Sequence, residues 1–220
     1  MRLTDLKLLT QPPTPASRRP LQGSLLILLT AIALVTWLSP ADQVLGNLVK
    51  LIYLHGAIIQ IALLALVVAG LLGLAFLVWR RPALVAWSQA IERTAFILWV
   101  LYVVTSAISM ARAWGGIAWF EPRWVFGLQM LVIIPVLQLA GLLLQEQRLV
   151  AGLNLAAALI MLFLRWRASL VLHPLDPIGA SSSLAIKASY DLLLLLVLLT
   201  AVQMSRWLVQ PLAPAPNDTP

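Results

Sequence analysis

The chain contains two histidines, His55 and His173, and between them an aromatic segment that begins at Trp114 and ends at Trp124. Two imidazoles can supply both axial ligands of one haem iron, and indole rings are flat and apolar enough to cover a porphyrin. Each histidine also has an ordinary interpretation, because an imidazole at a membrane edge is commonly hydrogen-bonded to water or to a carbonyl group. Taken together, the two histidines favour haem binding more than either does alone.

The composition is that of a membrane protein. Of the 220 residues, 61% are hydrophobic and 10% are charged, whereas soluble domains carry about 25% charged residues. Because the chain has no cysteine, disulfides, thiolate zinc sites and iron–sulfur clusters are excluded. The net charge of +7 is explained better by basic cytoplasmic loops than by nucleic-acid binding, and we expect no nucleic-acid partner.

Six apolar runs have about the length of 20 residues that an α-helix needs to cross a bilayer. Helices are expected because lipid offers no hydrogen-bond partner to an open backbone. The sequence therefore predicts an all-α polytopic membrane protein, a bundle of six transmembrane helices that contacts the lipid bilayer. The predicted spans are about 21–38, 55–78, 94–111, 125–144, 149–164 and 190–208, in a membrane domain at 21–209 between a cytoplasmic segment at 1–20 and a disordered cytoplasmic tail at 210–220.

The distribution of Lys and Arg predicts the orientation, because the cytoplasmic side of a membrane protein is its more basic side. If the N-terminus is cytoplasmic, nine of the fifteen basic residues lie on the inner side and six on the outer side. We therefore expect both termini in the cytoplasm. His55, the aromatic segment and His173 then all lie at the outer face.

The aromatic segment has two interpretations. Tryptophans are common at both edges of a membrane, but Trp114, Trp119 and Trp124 are crowded together with Phe120 in one short connection. There they would form an apolar surface for a porphyrin or for a partner protein. Arg123 lies in the same connection, and its guanidinium group would pair with a carboxylate, which is either a haem propionate or Glu121.

The predicted spans contain few polar residues, and hydrogen bonds between helices account for them. They are Gln60, Gln129, Gln138, Asn154 and Gln203. No series of carboxylates within these spans indicates a path for protons or ions, and no phosphate-binding glycine loop or Ser-His-Asp set has convincing spacing. Because holding a haem requires no bond-making by side chains, we do not expect an enzyme.

Three parts of the sequence carry a family resemblance. The first is Pro40-Ala41-Asp42-Gln43, followed by Gly46-Asn47 and by Lys50-Leu51-Ile52-Tyr53-Leu54-His55. It resembles the CcmC-type haem-handling proteins of bacterial cytochrome c maturation, which have six spans and an outer segment running Trp-Gly, further Trp, then Asp-x-Arg. Here Trp114-Gly115 begins that segment, Phe120-Glu121 replaces its final Trp-Asp, and Arg123 keeps its Arg. The second axial histidine of the family follows the fifth span, where His173 stands, and the similarity covers roughly residues 37–207.

The resemblance implies a function and a site. Haem b would dock at the outer face of the bacterial inner membrane, with His55 and His173 as the ligands of its iron. The surrounding residues would be Trp114, Gly115, Trp119, Phe120, Glu121 and Arg123. Haem would then pass to a periplasmic haem chaperone, with ABC-type exporter subunits as further partners. Ile117 and Ala118 stand where the family has Trp, so the chain would be a divergent member.

Two alternatives to haem delivery stay open. The protein could be a membrane anchor of a respiratory complex with one b-type haem, because two histidines suffice for one such haem. It could also be a structural subunit of a respiratory or assembly complex that binds no haem.

Overall fold

A computed structural model describes residues 15–168 and 178–209, with side chains from residue 20 onward, and these ranges contain six α-helices. The helices are α1 (Pro15–Leu38), α2 (Leu48–Trp79), α3 (Pro82–Trp114), α4 (Pro122–Leu144), α5 (Gln147–Arg167) and α6 (Leu184–Leu208). All six are long and apolar enough to cross a membrane, since about 20 residues suffice. The prediction of an all-α polytopic bundle is confirmed, and the chain is a multi-pass membrane protein.

The six predicted spans lie within the six helices, but the helices extend beyond them. α1 begins at Pro15, inside the segment at 1–20 that the sequence assigns to the cytoplasm, and α2 begins at Leu48 rather than near residue 55. The largest difference is in α3, which begins at Pro82 although the apolar run begins near residue 94. The predicted tail at 210–220 lies outside the described residues.

Helix caps set these boundaries. α2 ends at Arg80, which adopts the left-handed conformation (φ 56°) and donates its N–H to the Phe76 carbonyl. Pro82 then stands in the first turn of α3, where its missing N–H is not needed. α4 ends in the same way at Gln145 (φ 54°), and Glu146 is the N-cap of α5. Because the two connections are tight, α3 lies antiparallel beside α2, and α5 lies antiparallel beside α4.

α2 lies at the centre of the bundle. It packs most extensively on α3 and also contacts α5 and α6, whereas α1 packs mainly on α6. α2 approaches α5 closely, because a Cβ added at Gly73 would come within 2.5 Å of the Ala151 carbonyl oxygen. Small residues at such a contact let helices approach closely, and this packing stabilises helix pairs in lipid.

The bundle has two ends, which we name after one residue of each. The His55 end is where α1, α3 and α5 end and where α2, α4 and α6 begin. The Arg80 end is opposite, at the two tight connections. His55 itself lies about two turns inside α2, and not at the first residue of the helix as the sequence suggests.

Candidate functional site at the His55 end

The connection between α1 and α2 is a folded turn that fixes the start of α2. Asp42 Oδ1 accepts hydrogen bonds from the backbone N–H groups of Val44 (2.8 Å) and Leu45 (2.9 Å). These bonds hold the pKa of the Asp42 carboxyl below its usual range, because they favour the ionised form. Gly46 has a φ of +56°, which favours glycine.

Lys50 completes this arrangement, because its Nζ donates to the Trp37 carbonyl at the end of α1 (2.7 Å). Asp42, Gly46 and Lys50 are among the residues that carry the family resemblance, and each has a structural role here. Together they hold the first turns of α2, in which His55 lies.

His55 is half-buried between α2 and α3. Its ring stacks on Tyr102, with ring centroids 5.1 Å apart and an interplanar angle of 29°. Its Nδ1 lies 3.3 Å from the Thr105 hydroxyl oxygen. That hydroxyl donates its single hydrogen to the Leu101 carbonyl (2.8 Å), so its oxygen is an acceptor for the imidazole.

Because the Thr105 hydroxyl has two carbonyl acceptors, on Leu101 (2.8 Å) and Tyr102 (3.1 Å), this geometry favours one tautomer of His55. If Thr105 Oγ1 accepts, His55 Nδ1 carries the proton, and in a neutral imidazole Nε2 then carries the lone pair. A histidine that binds a metal through one nitrogen commonly donates from the other nitrogen to a neighbouring oxygen. The Thr105 contact therefore prepares His55 to act as a ligand through Nε2.

Tyr102 connects the imidazole to α4. Its hydroxyl donates to the Arg123 carbonyl oxygen at 3.3 Å. A Cβ added at Gly127 would come within 3.1 Å of the Tyr102 ring, and Trp99 Nε1 donates to the Gly127 carbonyl at 2.9 Å. The position of His55 is thus tied through one aromatic ring to the first turns of α4.

The predicted aromatic surface is exposed. Trp114 is 45% exposed, Trp119 is 61% exposed and Phe120 is 95% exposed. Gly115 ends α3 with a φ of +76°, which turns the chain away from the helix axis. The segment from Ile117 to Pro122 lines an open pocket, and the Trp119 ring packs edge-on against Trp124 with centroids 6.3 Å apart. These side chains are available to an external apolar ligand or partner.

Glu121 and Arg123, one of the two predicted pairs, interact electrostatically, but no salt bridge or hydrogen bond joins their side chains. Glu121 is only 4% exposed, and its Oε2 accepts from the Trp124 backbone N–H (2.5 Å) as the N-cap of α4. Among the described residues, Glu121 Oε1, Arg123 Nε and Trp124 Nε1 are buried and have no hydrogen-bond partner. Buried polar groups normally have partners, so these three atoms make the first turn of α4 an unusual place in the bundle.

The structure therefore brings several of the predicted site residues together and leaves one outside its description. His55 is joined through Tyr102 to Arg123, next to the buried Glu121, while the exposed aromatic side chains precede them in the connection from α3 to α4. His173 lies within 169–177, outside the described residues, so its role as the second ligand stays a prediction. Sequence reasoning missed Tyr102 and Thr105, because contacts of His55 with α3 depend on how the two helices are rotated.

No protein-family model matches the chain, and no curated protein is significantly similar to it. The resemblance to CcmC-type proteins stays a prediction.

Proposed function

We propose that this protein binds haem at the outer face of the membrane and presents it to a haem chaperone during cytochrome c assembly. The observation that carries the proposal is the contact of 3.3 Å between His55 Nδ1 and Thr105 Oγ1, which favours the tautomer with the lone pair on Nε2. An axial ligand needs this tautomer, and the fixed partner on Nδ1 orients the ring.

The residues of the connection between α3 and α4 are of the types that a haem needs. A porphyrin is flat and apolar with two carboxylate side chains, so it needs aromatic contacts and a cationic partner. Trp119 and Phe120 offer exposed aromatic surface, and Trp114 lies at the start of the same connection. Arg123 is partly exposed, and its guanidinium group would bond to a propionate. His173 would be the second axial ligand.

In this proposal haem is the cargo, and the protein contributes positioning alone. The turn at Gly115 sets the direction of the aromatic segment, and Glu121 caps α4. Tyr102 contacts both His55 and Arg123 and so fixes their relative position. A chaperone and ABC-type exporter subunits would dock at the exposed aromatic side chains, because Phe120 has almost no contact with its own chain. An iron site near the membrane surface suits exchange of haem with a partner.

The test is the absorption spectrum of the protein purified in detergent after expression with sufficient haem. The wild type should show the bands of a haem with two histidine ligands, and His55→Ala and His173→Ala should each lose them. Gln60→Ala is the control, because Gln60 is exposed on α2 five residues beyond His55. If both histidine variants keep the wild-type spectrum, the assignment of the ligands is wrong.

A second candidate function is that of a membrane anchor in a respiratory or assembly complex, with a b-type haem or with none. The stacking of His55 on Tyr102 favours it, since the same contact would hold a purely structural histidine between α2 and α3. A colourless wild type whose His55→Ala variant has a lower melting temperature would support the haem-free anchor. A reversible haem midpoint potential without release to a chaperone would support the b-type anchor.

A further inference from the structure

The Arg80 end of the bundle contains a buried carboxyl group that haem binding does not use. Glu92 lies in α3 and is 2% exposed. In the part of the chain that the structure describes, its Oε1 has no hydrogen-bond partner. An ionised carboxylate is expensive to bury inside a membrane protein unless a partner compensates its charge, so this group requires an explanation.

Asn154 of α5 lies between Glu92 and Ser88, which is one turn earlier in α3. One atom of the Asn154 terminal amide is 2.8 Å from Glu92 Oε2, and the other is 2.7 Å from Ser88 Oγ. Ser88 Oγ in turn donates to the Ala69 carbonyl oxygen of α2 at 2.7 Å. A continuous chain of hydrogen bonds therefore joins α5, α3 and α2.

The orientation of the Asn154 amide decides which hydrogen bonds this cluster makes. With its nitrogen towards Ser88, Oδ1 would face two oxygens, the Val150 carbonyl oxygen at 3.1 Å and Glu92 Oε2 at 2.8 Å. With the amide turned over, its nitrogen donates to both of these oxygens and Oδ1 accepts from Ser88 Oγ, so every polar atom of the amide is satisfied. Glu92 Oε2 can accept this bond while Oε1 carries a proton.

The charged groups around Glu92 belong to three helices. Arg93, the next residue of α3, acts on the carboxylate electrostatically. On α5 the nearest cation in sequence is Arg148, about 9 Å along the helix from Asn154. On α6 the cation to consider is Arg206, the residue after Ser205. The titratable residues of α2 at positions 50, 53 and 55 lie more than about 20 Å along the helix from Ala69, and its C-cap Arg80 lies about 16 Å from Ala69. Oε2 is instead matched by an uncharged amide.

We propose that Glu92, Asn154 and Ser88 form a proton-binding site inside the bundle, in which the buried Glu92 carboxyl group holds the proton and the Asn154 amide donates to its Oε2. The site does not depend on haem, and it links proton binding to the contacts among three helices.

Infrared spectroscopy of the detergent-purified protein at neutral pH tests the site. The wild type should show the carbonyl stretching band of a protonated carboxylic acid, which shifts in deuterated water. Glu92→Gln should lose the band, because Gln keeps the shape and the hydrogen bonds of the protonated acid but carries no carboxyl group. Glu146→Gln, which changes an exposed carboxyl at the start of α5, should keep it.

Three results would overturn the proposal. The first is a wild type without the band, and the second is a band that persists in Glu92→Gln. The third is a band that disappears when sodium replaces choline at constant pH and ionic strength, because the group would then hold a sodium ion. Asn154→Leu gives an independent check that does not depend on the folding of Glu92→Gln. Its band should move to the frequency of a carboxyl without a hydrogen-bond partner, and an unmoved band would contradict the contact.

Discussion

Replacing Thr105 by Val tests the arrangement on which the haem proposal depends. Val keeps the branched shape of Thr but has no oxygen to accept the Nδ1 proton of His55. The imidazole would then lose its fixed tautomer and part of its orientation. Losing the hydrogen-bond partner of a ligating histidine typically lowers metal affinity by about 10- to 100-fold.

The geometry places the expected effect at the lower end of this range. The distance from His55 Nδ1 to Thr105 Oγ1 is 3.3 Å, slightly beyond the usual limit of about 3.2 Å for an N–H···O hydrogen bond. We therefore expect the haem affinity of Thr105→Val to fall about tenfold, which corresponds to about 1.4 kcal/mol.

The assay is a titration of the haem-free protein in detergent with haemin, followed by its absorption. Thr105→Ser keeps the acceptor oxygen and should bind nearly as the wild type does. Thr30→Val is the matched control, because the exposed Thr30 hydroxyl of α1 bonds to the Leu26 carbonyl of its own helix. Wild-type affinity in Thr105→Val would refute the reasoning, and so would a Thr105→Ser variant as weak as Thr105→Val.

Two further predictions concern the scaffold. Gly73→Ala should destabilise the bundle by about 1–3 kcal/mol, because its Cβ would lie 2.5 Å from a backbone oxygen of α5. This loss is larger than the roughly 1 kcal/mol by which Ala is more stable than Gly inside a helix. Thermal denaturation in detergent would show this as a lower melting temperature. The control is Gly152→Ala, whose Cβ would have no atom within 4 Å and which should melt at or above the temperature of the wild type. A Gly73→Ala variant with the melting temperature of the wild type would contradict the close contact. The pKa of Asp42 is lowered in the folded protein. The stability that its carboxylate adds to the turn between α1 and α2 is therefore fully present above the ordinary carboxyl pKa and is lost as the pH falls through the lowered pKa. Hydrogen exchange of the two amides that it binds, compared at each pH with Asp42→Asn, should therefore show constant relative protection at neutral pH and a loss in acid; a loss already at neutral pH would contradict the lowered pKa.

Hydropathy predicted the helices well and their ends poorly. Lipid requires each spanning segment to satisfy its own backbone, so six apolar runs imply six helices. The ends depend on local backbone geometry instead. Arg80 closes α2 in a left-handed conformation and Pro82 opens α3 at once, although polar residues follow for several turns. A pattern of apolar residues carries no information about such caps.

The same limit explains which site residues the sequence could not identify. His55, Glu121 and Arg123 were identified by their residue types, but Thr105, 50 residues from His55, is an ordinary polar residue of a helix until the rotation of α3 is known. Glu92 was missed for a related reason. The predicted third span began near residue 94 and left Glu92 outside the membrane, whereas the longer α3 brings it into the core of the bundle.

The polar contacts at the two ends fix what apolar packing leaves open. α2 presents many Ala and Gly residues to its neighbours, and such small side chains restrict the rotation of a packed helix only weakly. Hydrogen bonds are directional, so the bond from Ser88 to Ala69 at the Arg80 end and the bond from His55 to Thr105 at the His55 end each allow few rotations of α3. Ser88 and Thr105 are about 26 Å apart along α3, and one rigid helix satisfies both contacts.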